Sequence, residues 1–189
     1  MELFETITTR HSYRAFDSRP VPREDLERII DAGRLAPSAM NSQPWVFHVA
    51  LGATRKLVDE VMAHTTVYLD EYLTSLGAEY RLESAARFLS GLGGAPVVIA
   101  VSAPYVTEEM AQLNTLLGVG AAIENLLLAA TGLGLGSCTV TFSYYVRDEL
   151  ADVFGIGDDR YIVSVIALGY SEGPAAAPAH DADIVTWYE

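Results

Sequence analysis

The spacing of apolar residues predicts two helices near the start of the chain. Residues 2–9 are compatible with one short helix. Pro22 suits the first position of a second helix, because its fixed φ is already helical and its missing N–H is not needed there. Leu26, Ile29 and Ile30 then follow at helical spacing until Pro37 ends the pattern.

Four further stretches predict a sheet. Residues 45–51, 97–102 and 161–168 are apolar runs of strand length, and residues 137–142 are rich in β-branched side chains that alternate with others. Residues 147–154 have the pattern of a short amphipathic helix. Helices and strands interleave without a regular βαβ alternation, so the sequence predicts an α+β fold with a mixed sheet.

A polar, tyrosine-bearing segment separates the first two predicted strands. Residues 53–92 carry many charges, and their pattern predicts a helical segment in two or three pieces. This is the least regular part of the chain. We interpret it as a candidate lid or an insertion on the substrate side.

The longest apolar stretch predicts a helix over residues 110–131. Residues 116–136 would span roughly 30 Å as a helix, which is enough to cross a membrane. That stretch, however, has Glu124 and Asn125 at its centre, contains five glycines and lacks flanking lysine or arginine. These features favour a buried or interface helix.

Composition narrows the class of protein. The 189 residues predict a single domain over residues 1–189, and the mean hydropathy of +0.21 indicates apolar surface that an extensive subunit interface would cover. A net charge of −13 argues against nucleic acid and anionic membrane surfaces as partners. The single cysteine, Cys138, and the lack of a signal-peptide pattern lead us to expect a cytoplasmic protein.

Positive charge is concentrated near the N-terminus, where five of the twelve basic residues lie in the first 28 positions. Arg10-His11-Ser12-Tyr13-Arg14 combines two fixed cations, an imidazole and a hydroxyl, a donor set suited to a phosphate or an anionic ring. Arg10 and Arg14, four residues apart on a short helix or at its exit, could lie on one side. The alternative is a set of surface ion pairs with the abundant acids.

A second cluster follows the predicted second helix. Residues 36–45 form a proline-bounded loop in which Asn41 and Gln43 can both donate and accept hydrogen bonds, as the edge of a heterocycle requires. Together the two clusters resemble opposite walls of a nucleotide-type pocket. The alternative is a helix stop followed by an ordinary loop, and Trp45 fits the core better than a ligand site.

Three other motifs do not fit the chemistry that they suggest. Gly132, Gly134 and Gly136 end a helix and lead into a strand, the reverse of a dinucleotide-binding fingerprint. The G-x-S-x-G match at residues 169–173 runs into a proline- and alanine-rich stretch instead of a helix. The four histidines are scattered without metal-binding spacing, so we expect no metal.

The stretch RHSYRAF and the later VPREDLERIIDAGRLAPSAMNSQPW resemble the nitroreductase family of FMN-dependent oxidoreductases. The likeness continues through residues 95–99, 124–130, 132–137 and 168–170, so it covers nearly the whole chain. The N-terminal pair of motifs carries its specificity.

This resemblance implies an α/β/α sandwich with a mixed, mainly antiparallel sheet of four or five strands. It also implies a homodimer formed through the long helix, with exchanged C-terminal arms over residues 173–189. Residues 184–188 are apolar and strand-like after a stiff Pro/Ala stretch, as expected of a segment that docks on a partner.

The resemblance also implies where FMN binds. The first cluster would hold the phosphate, ribityl chain and pyrimidine side. The second would place Asn41 near N5 or O4 and pack residues 37–40 on the ring, while the predicted strand after Ser137 covers the other face. The expected contacts are Arg10, His11, Ser12, Arg14, Pro37, Ser38, Ala39, Met40, Asn41, Gln43, Thr139, Val140 and Thr141.

The implied activity is transfer of a hydride from NADH or NADPH to the flavin and of two electrons to a small acceptor such as a nitroaromatic or quinone. No protein residue is expected to act as nucleophile or base, because the flavin N5 carries the chemistry. Family members commonly have a Lys or Arg after the last strand, whereas residues 175–183 contain none. A second hypothesis is therefore a carrier or sensor that binds a flavin or nucleotide without turnover.

Overall fold

A four-stranded sheet forms the centre of the computed structural model, which describes residues 2–173 and 184–188. The strands are β1 (Val46–Ala50), β2 (Val97–Pro104), β3 (Gly136–Val140) and β4 (Arg160–Gly169). Their spatial order is β1-β2-β4-β3, and all three ladders are antiparallel. Each strand overlaps one of the four predicted stretches.

Seven α-helices are found in the described residues, and they agree with the predicted ones in position. They are α1 (Leu3–Thr9), α2 (Arg23–Arg34), α3 (Gly52–Ala63), α4 (Leu69–Ser75), α5 (Leu82–Leu89), α6 (Glu109–Gly132) and α7 (Arg147–Phe154). Residues 53–92 thus give three α-helices joined by 3₁₀ turns.

The two faces of the sheet bury two separate cores. Side chains alternate along β2, so that Val98 and Ala100 join the core beneath α3, α4, α5 and α7, whereas Val97 and Ile99 join the core beneath α2 and α6. The result is the α/β/α sandwich that the resemblance implied. Because α3, α4 and α5 form one layer of this sandwich, they cannot be only a lid.

Helix α6 has one face in the core and another that is exposed in the single chain. Its buried residues recur every three or four positions, and Gly33 of α2 lies so close that an added Cβ would be 2.9 Å from Leu126 Cδ2. On the other side Leu113 and Leu117 are exposed. By length and composition α6 could cross a membrane, but its buried stripe marks it as a core helix with a second apolar face.

The predicted end of one strand needs correction. Strand β3 ends at Val140, not at residue 142, because a 3₁₀ turn over Thr141–Val146 follows and the Ser143 hydroxyl donates to the Val140 carbonyl at 3.0 Å. Residues 184–188 form no strand within the single chain, and Trp187 is 84% exposed, so their docking on a partner subunit stays a prediction. Residues 174–183 of the expected arm, which include the whole cation-free stretch of residues 175–183, lie outside the described residues.

The parallel part of the expected mixed sheet is small. A single parallel bridge between Ser12 and Ser137 attaches the N-terminal segment to the free edge of β3. The backbone N–H of Tyr13 donates to the Ser137 carbonyl at 3.0 Å. This attachment places the first sequence cluster against the sheet.

Candidate functional site

The first cluster is an extended segment at the exit of α1. Arg10 has φ −63° and ψ 122°, which ends the helix, and Ser12 then pairs with β3. In an extended chain, Arg10 and Arg14 are separated by about 13 Å of backbone. Their spacing of four is therefore not helical, and the two guanidinium groups reach different surroundings.

Arg10 is bound to the long helix. Its Nε lies 3.0 Å from Glu124 Oε1, and both side chains are partly exposed. Glu124, which argued against a membrane span in the sequence, thus pairs with a residue of the first cluster. For Arg10, the alternative that this cluster forms surface ion pairs with acidic residues therefore applies. A partly exposed ion pair of this kind contributes little to the stability of the fold.

Arg14 has no carboxylate partner among the described residues. Its Nη1 donates to the Ser12 carbonyl at 3.3 Å, and its guanidinium carbon lies 5.9 Å from the centre of the Phe88 ring. An arginine with so few protein contacts retains donors for a ligand.

Three buried polar atoms near this segment have no partner in the part of the chain that the structure describes. They are His11 Nδ1, Ser137 Oγ and Thr139 Oγ1. Ser137 and Thr139 point to the same side of β3, since side chains alternate along a strand. A buried polar atom without a hydrogen bond is costly, so three of them around one strand edge indicate a place where a polar ligand binds.

Cys138 lies between these two strand residues but faces the core. Burial raises the pKa of its thiol, and the neighbouring Arg14 and Ser12 lower it only in part. The thiol is therefore neutral at ordinary pH, which supports the interpretation of Cys138 as a packing residue and not a nucleophile.

Gly93 fixes the backbone of Arg14. Gly93 has φ +66°, and a Cβ added to it would lie 2.2 Å from the Arg14 carbonyl oxygen. The N–H of Phe16 donates to the Gly93 carbonyl at 2.9 Å. This contact was missed at the sequence level, because a glycine pair before a strand does not reveal which segment lies against it.

Arg55 holds the loop that carries Gly93. Its Nε donates to the Ala95 carbonyl at 2.8 Å and its Nη2 to the Gly91 carbonyl at 3.1 Å, while the guanidinium pairs with Asp59. Arg55 is almost fully buried in a segment that its composition marks as polar and solvated. Nothing in the sequence distinguishes it from exposed arginines.

Next to Arg14 lies a cavity of about 1140 Å³ between the first cluster and helices α4 and α5. Among the residues that the structure describes, its lining contains three arginines and no acidic residue. We call it the arginine cavity; it is lined by Arg14, Ala15, Leu69, Tyr72, Leu73, Arg81, Ser84, Ala85, Arg87, Phe88, Leu89, Gly91, Gly93, Gly94 and Phe142.

The second cluster is a loop with an unusual backbone. Met40, Asn41 and Gln43 have φ values of 53°, 55° and 45°, a left-handed conformation that costs of order 1–3 kcal/mol at non-glycine positions. Among the hydrogen bonds within the loop, Gln43 N–H donates to Ser38 Oγ at 2.9 Å and Gln43 Nε2 donates to Asn41 Oδ1 at 3.2 Å. Such strain is concentrated at ligand sites in proteins.

The base of this loop is fixed while its tip is exposed. An added Cβ at Gly118 of α6 would lie 3.2 Å from Ser38 Cβ and 3.6 Å from Trp45, which is buried as predicted. Arg160 Nη2 donates to the Pro44 carbonyl at 2.6 Å. Met40 at the tip is 100% exposed.

The two clusters share α6 as their support. Their contact points on that helix, Gly118 and Glu124, are six residues apart, or about 9 Å along the axis. Within the described residues of one chain, no hydrogen bond or ion pair joins the loop to the N-terminal segment. One chain therefore provides both expected walls, and no polar interaction among its described residues links them.

The other residues expected to contact the flavin lie in the loop of the second cluster and at the end of β3. Pro37 and Ala39 belong to the strained loop, and Ala39 begins its 3₁₀ turn. Val140 is the last residue of β3 and packs in the core, whereas Thr141 is exposed in the turn that follows. Among the described residues, no group of His, Cys, Asp or Glu could hold a metal ion.

Comparison with known proteins places the chain in a family. The model of the nitroreductase family matches residues 7–170. A putative NADH dehydrogenase/NAD(P)H nitroreductase of Archaeoglobus fulgidus is 32% identical over 173 residues, covering 89% of this chain and 85% of its own length.

Solved structures agree in fold. The FMN- and NADPH-dependent nitroreductase NfnB from Sphigopyxis sp. strain HMH has a TM-score of 0.80 at 23% identity, with 100% of both chains covered. A nitroreductase with bound FMN from Desulfitobacterium hafniense DCB-2 has a TM-score of 0.79 at 25% identity, covering 99% of this chain and 98% of its own. The chain therefore belongs to the nitroreductase family.

Proposed function

We propose that this protein is an FMN-dependent oxidoreductase that takes a hydride from NADH or NADPH and passes two electrons to a small acceptor such as a nitroaromatic or a quinone. The proposal rests on the buried polar atoms of His11, Ser137 and Thr139, which have no hydrogen-bond partner among the described residues, and on Arg14, whose guanidinium has no carboxylate partner there. The Desulfitobacterium relative with bound FMN and the Archaeoglobus relative named for NAD(P)H support it.

The N-terminal segment is proposed to contact FMN along its whole length, from the phosphate to the ring. Its extended form suits FMN, because the phosphate and the ring lie at opposite ends of an elongated molecule. Arg10 and Ser12 would bind the phosphate and ribityl part, and Arg14 would lie beside the pyrimidine side of the ring. When bound, FMN would supply the redox chemistry, and Arg14 would stabilise negative charge on the reduced ring.

Strand β3 is proposed as the rigid support behind the ring. Ser137 Oγ and Thr139 Oγ1 would donate to or accept from the cofactor, which would satisfy their buried hydroxyl groups. The backbone from Thr139 to Thr141 would cover the face of the ring that substrates do not reach. The antiparallel ladder with β4 holds this strand in place.

The loop of residues 37–43 is proposed to act across a dimer interface. Its tip is exposed, no hydrogen bond joins it to the described N-terminal segment of its own chain, and the exposed side of α6 is apolar. Pairing two copies through α6 would bury that surface and place Asn41 and Met40 against the flavin of the partner subunit. Residues 184–188 would then dock on the partner as well.

A spectrum of the purified protein, reconstituted with FMN where needed, tests this function. We expect the absorption bands of oxidised flavin, and we expect NADH or NADPH to bleach them in the absence of oxygen. Failure to retain FMN contradicts the proposal. Bound flavin that no nicotinamide nucleotide bleaches supports the carrier or sensor alternative, which the cation-free residues 175–183 favour.

A further inference from the structure

The charge of the arginine cavity is opposite to that of the chain. Asp and Glu outnumber Lys and Arg by 25 to 12 in the whole sequence, yet the described residues of the cavity wall include Arg14, Arg81 and Arg87 and no acid. A concave wall of one sign concentrates ligands of the other sign. The cavity therefore favours an anion.

Two of these arginines are available to a ligand. Arg81 lies over the Tyr80 ring at 5.3 Å and donates from Nε to the Tyr80 hydroxyl at 3.0 Å, with no carboxylate partner among the described residues. Arg87 pairs with Glu83 at 2.7 Å, but these side chains are 77% and 88% exposed. An exposed pair of this kind is weak, so Arg87 can exchange Glu83 for a ligand at little cost.

The cavity is also lined by aromatic rings. The rings of Tyr72 and Phe142 are 5.1 Å apart, and Phe142 also contacts Tyr145 at 4.8 Å. Phe88 adds a third ring beside Arg14. Ring faces and edges such as these pack against a planar aromatic ligand.

The cavity has room for more than a part of the flavin. Ligand pockets commonly measure about 300–1,000 Å³, and this one is about 1140 Å³. If Arg14 is engaged by the flavin ring, as the proposed function has it, Arg81 and Arg87 remain for a second ligand in the same cavity. A guanidinium and a carboxylate share a planar, two-point hydrogen-bonding geometry.

We propose that Arg81 and Arg87 make this enzyme selective for acceptors that carry a carboxylate on an aromatic ring. The inference rests on the proposed function and names the substrate class of that site. The same cations could instead bind a phosphate of NADPH. The two sources of negative charge are separated by using NADH as the hydride donor in one arm of the test and NADPH in the other.

The test compares two acceptors of similar shape, 4-nitrobenzoate and the uncharged 4-nitrobenzamide, with saturating NADH. We expect Arg81→Gln and Arg87→Gln each to lower kcat/KM for 4-nitrobenzoate on the order of tenfold, and the double variant further. The value for 4-nitrobenzamide should change less than about twofold. Arg28→Gln, an exposed arginine outside the cavity, serves as the matched control.

Binding provides a second measurement that needs no turnover. Benzoate and benzamide are titrated into the FMN-loaded enzyme while the flavin spectrum is followed. We expect benzoate to bind more tightly than benzamide in the wild-type protein, and the preference to disappear in the double variant.

Three results would overturn the proposal. Equal losses for both acceptors, or equal binding of benzoate and benzamide by the wild type, would remove the carboxylate selectivity. Loss of FMN from the variants would assign these arginines to the cofactor. A rise in KM for NADPH but not NADH, with 4-nitrobenzoate unaffected, would assign them to the NADPH phosphate. These results differ from a failure of the proposed function itself, because in that case the wild-type protein would lack a reducible flavin.

Discussion

Arg14 is the residue at which the proposed cofactor site and the arginine cavity meet. It contributes a guanidinium without a carboxylate partner among the described residues, it follows the segment that pairs with β3, and Gly93 determines the position of its backbone. The sequence predicted Arg14 as a cofactor-binding residue. Its position depends on Gly93 and Arg55, and nothing in the sequence indicates that these two residues lie near it.

Replacing Arg14 should weaken FMN binding severely without unfolding the protein. A charged hydrogen bond to an anionic ligand contributes on the order of 1.5–3 kcal/mol, so Arg14→Ala should raise the Kd for FMN roughly 10- to 100-fold. Flavin fluorescence titration measures this. Arg23→Ala, an exposed arginine paired with Glu27, is the control, and an unchanged Kd for Arg14→Ala would remove Arg14 from the site.

Gly93 and Gly91 offer a matched pair of alanine substitutions in one loop. Gly93→Ala would push a Cβ into the Arg14 carbonyl from a left-handed backbone, whereas a Cβ at Gly91 meets nothing within 4 Å. We expect Gly93→Ala to destabilise the protein by about 1–3 kcal/mol and to weaken FMN binding as Arg14 shifts. Gly91→Ala should change both far less. Similar denaturation midpoints for the two variants would contradict this role of Gly93.

His48 should make the stability depend on pH. Its Nε2 lies 2.9 Å from Ser102 Oγ, and burial, followed by the nearby charge of Arg160, lowers its pKa below the usual value of about 6.5. The unfolded chain therefore binds this proton more readily, so the stabilising contribution is complete above about pH 6.5 and declines as the pH falls below it. Urea unfolding at pH 7.5 and 5.5 should show a smaller loss for His48→Gln than for wild type, and equal losses would exclude His48.

At the scale of elements, helices and strands with a regular hydrophobic pattern could be predicted from the sequence. Features that depend on single side-chain hydrogen bonds or on unusual backbone angles could not. The run Val97 to Ser102 identifies β2 because nearly every residue is apolar, as a strand covered on both faces requires. The end of β3 was missed because the turn at Ser143 depends on one side-chain hydrogen bond. The left-handed residues of the second loop could not be predicted either, since neither Met40 nor Gln43 favours positive φ.

Helix α6 should mediate dimerisation through its exposed face. Leu117 is 64% exposed there, whereas Ala122 and Leu126 are buried in the core of their own chain. Leu117→Arg should yield a folded monomer at micromolar concentration, because a desolvated arginine opposes apolar packing. Gln112→Arg, an exposed polar position of the same helix, is the control. Sedimentation that finds wild-type monomer would refute the dimer and leave the loop of residues 37–43 without its proposed role.

At the scale of the whole molecule, the mean hydropathy and the net charge correspond to different parts of the surface. The mean hydropathy of +0.21 corresponds to exposed apolar side chains on α6 and on the neighbouring α1, where Phe4 is exposed. The net charge of the chain is −13, and the arginine cavity has the opposite sign among the described residues. Composition predicted a subunit interface and argued against nucleic acid as a partner. It could not predict the arginine cavity, because the wall of that cavity comes from three separate parts of the sequence.

The central claim is that this chain binds FMN as a working redox cofactor, and an anaerobic titration tests it most directly. NADH or NADPH is added in small steps to the FMN-loaded protein while the flavin absorption is followed, and a nitroaromatic or quinone is then added. The account predicts complete bleaching with about one equivalent of nucleotide per bound FMN, and return of the oxidised spectrum as the acceptor is reduced. Bound flavin that neither nucleotide reduces, or a protein that does not bind FMN, would contradict it.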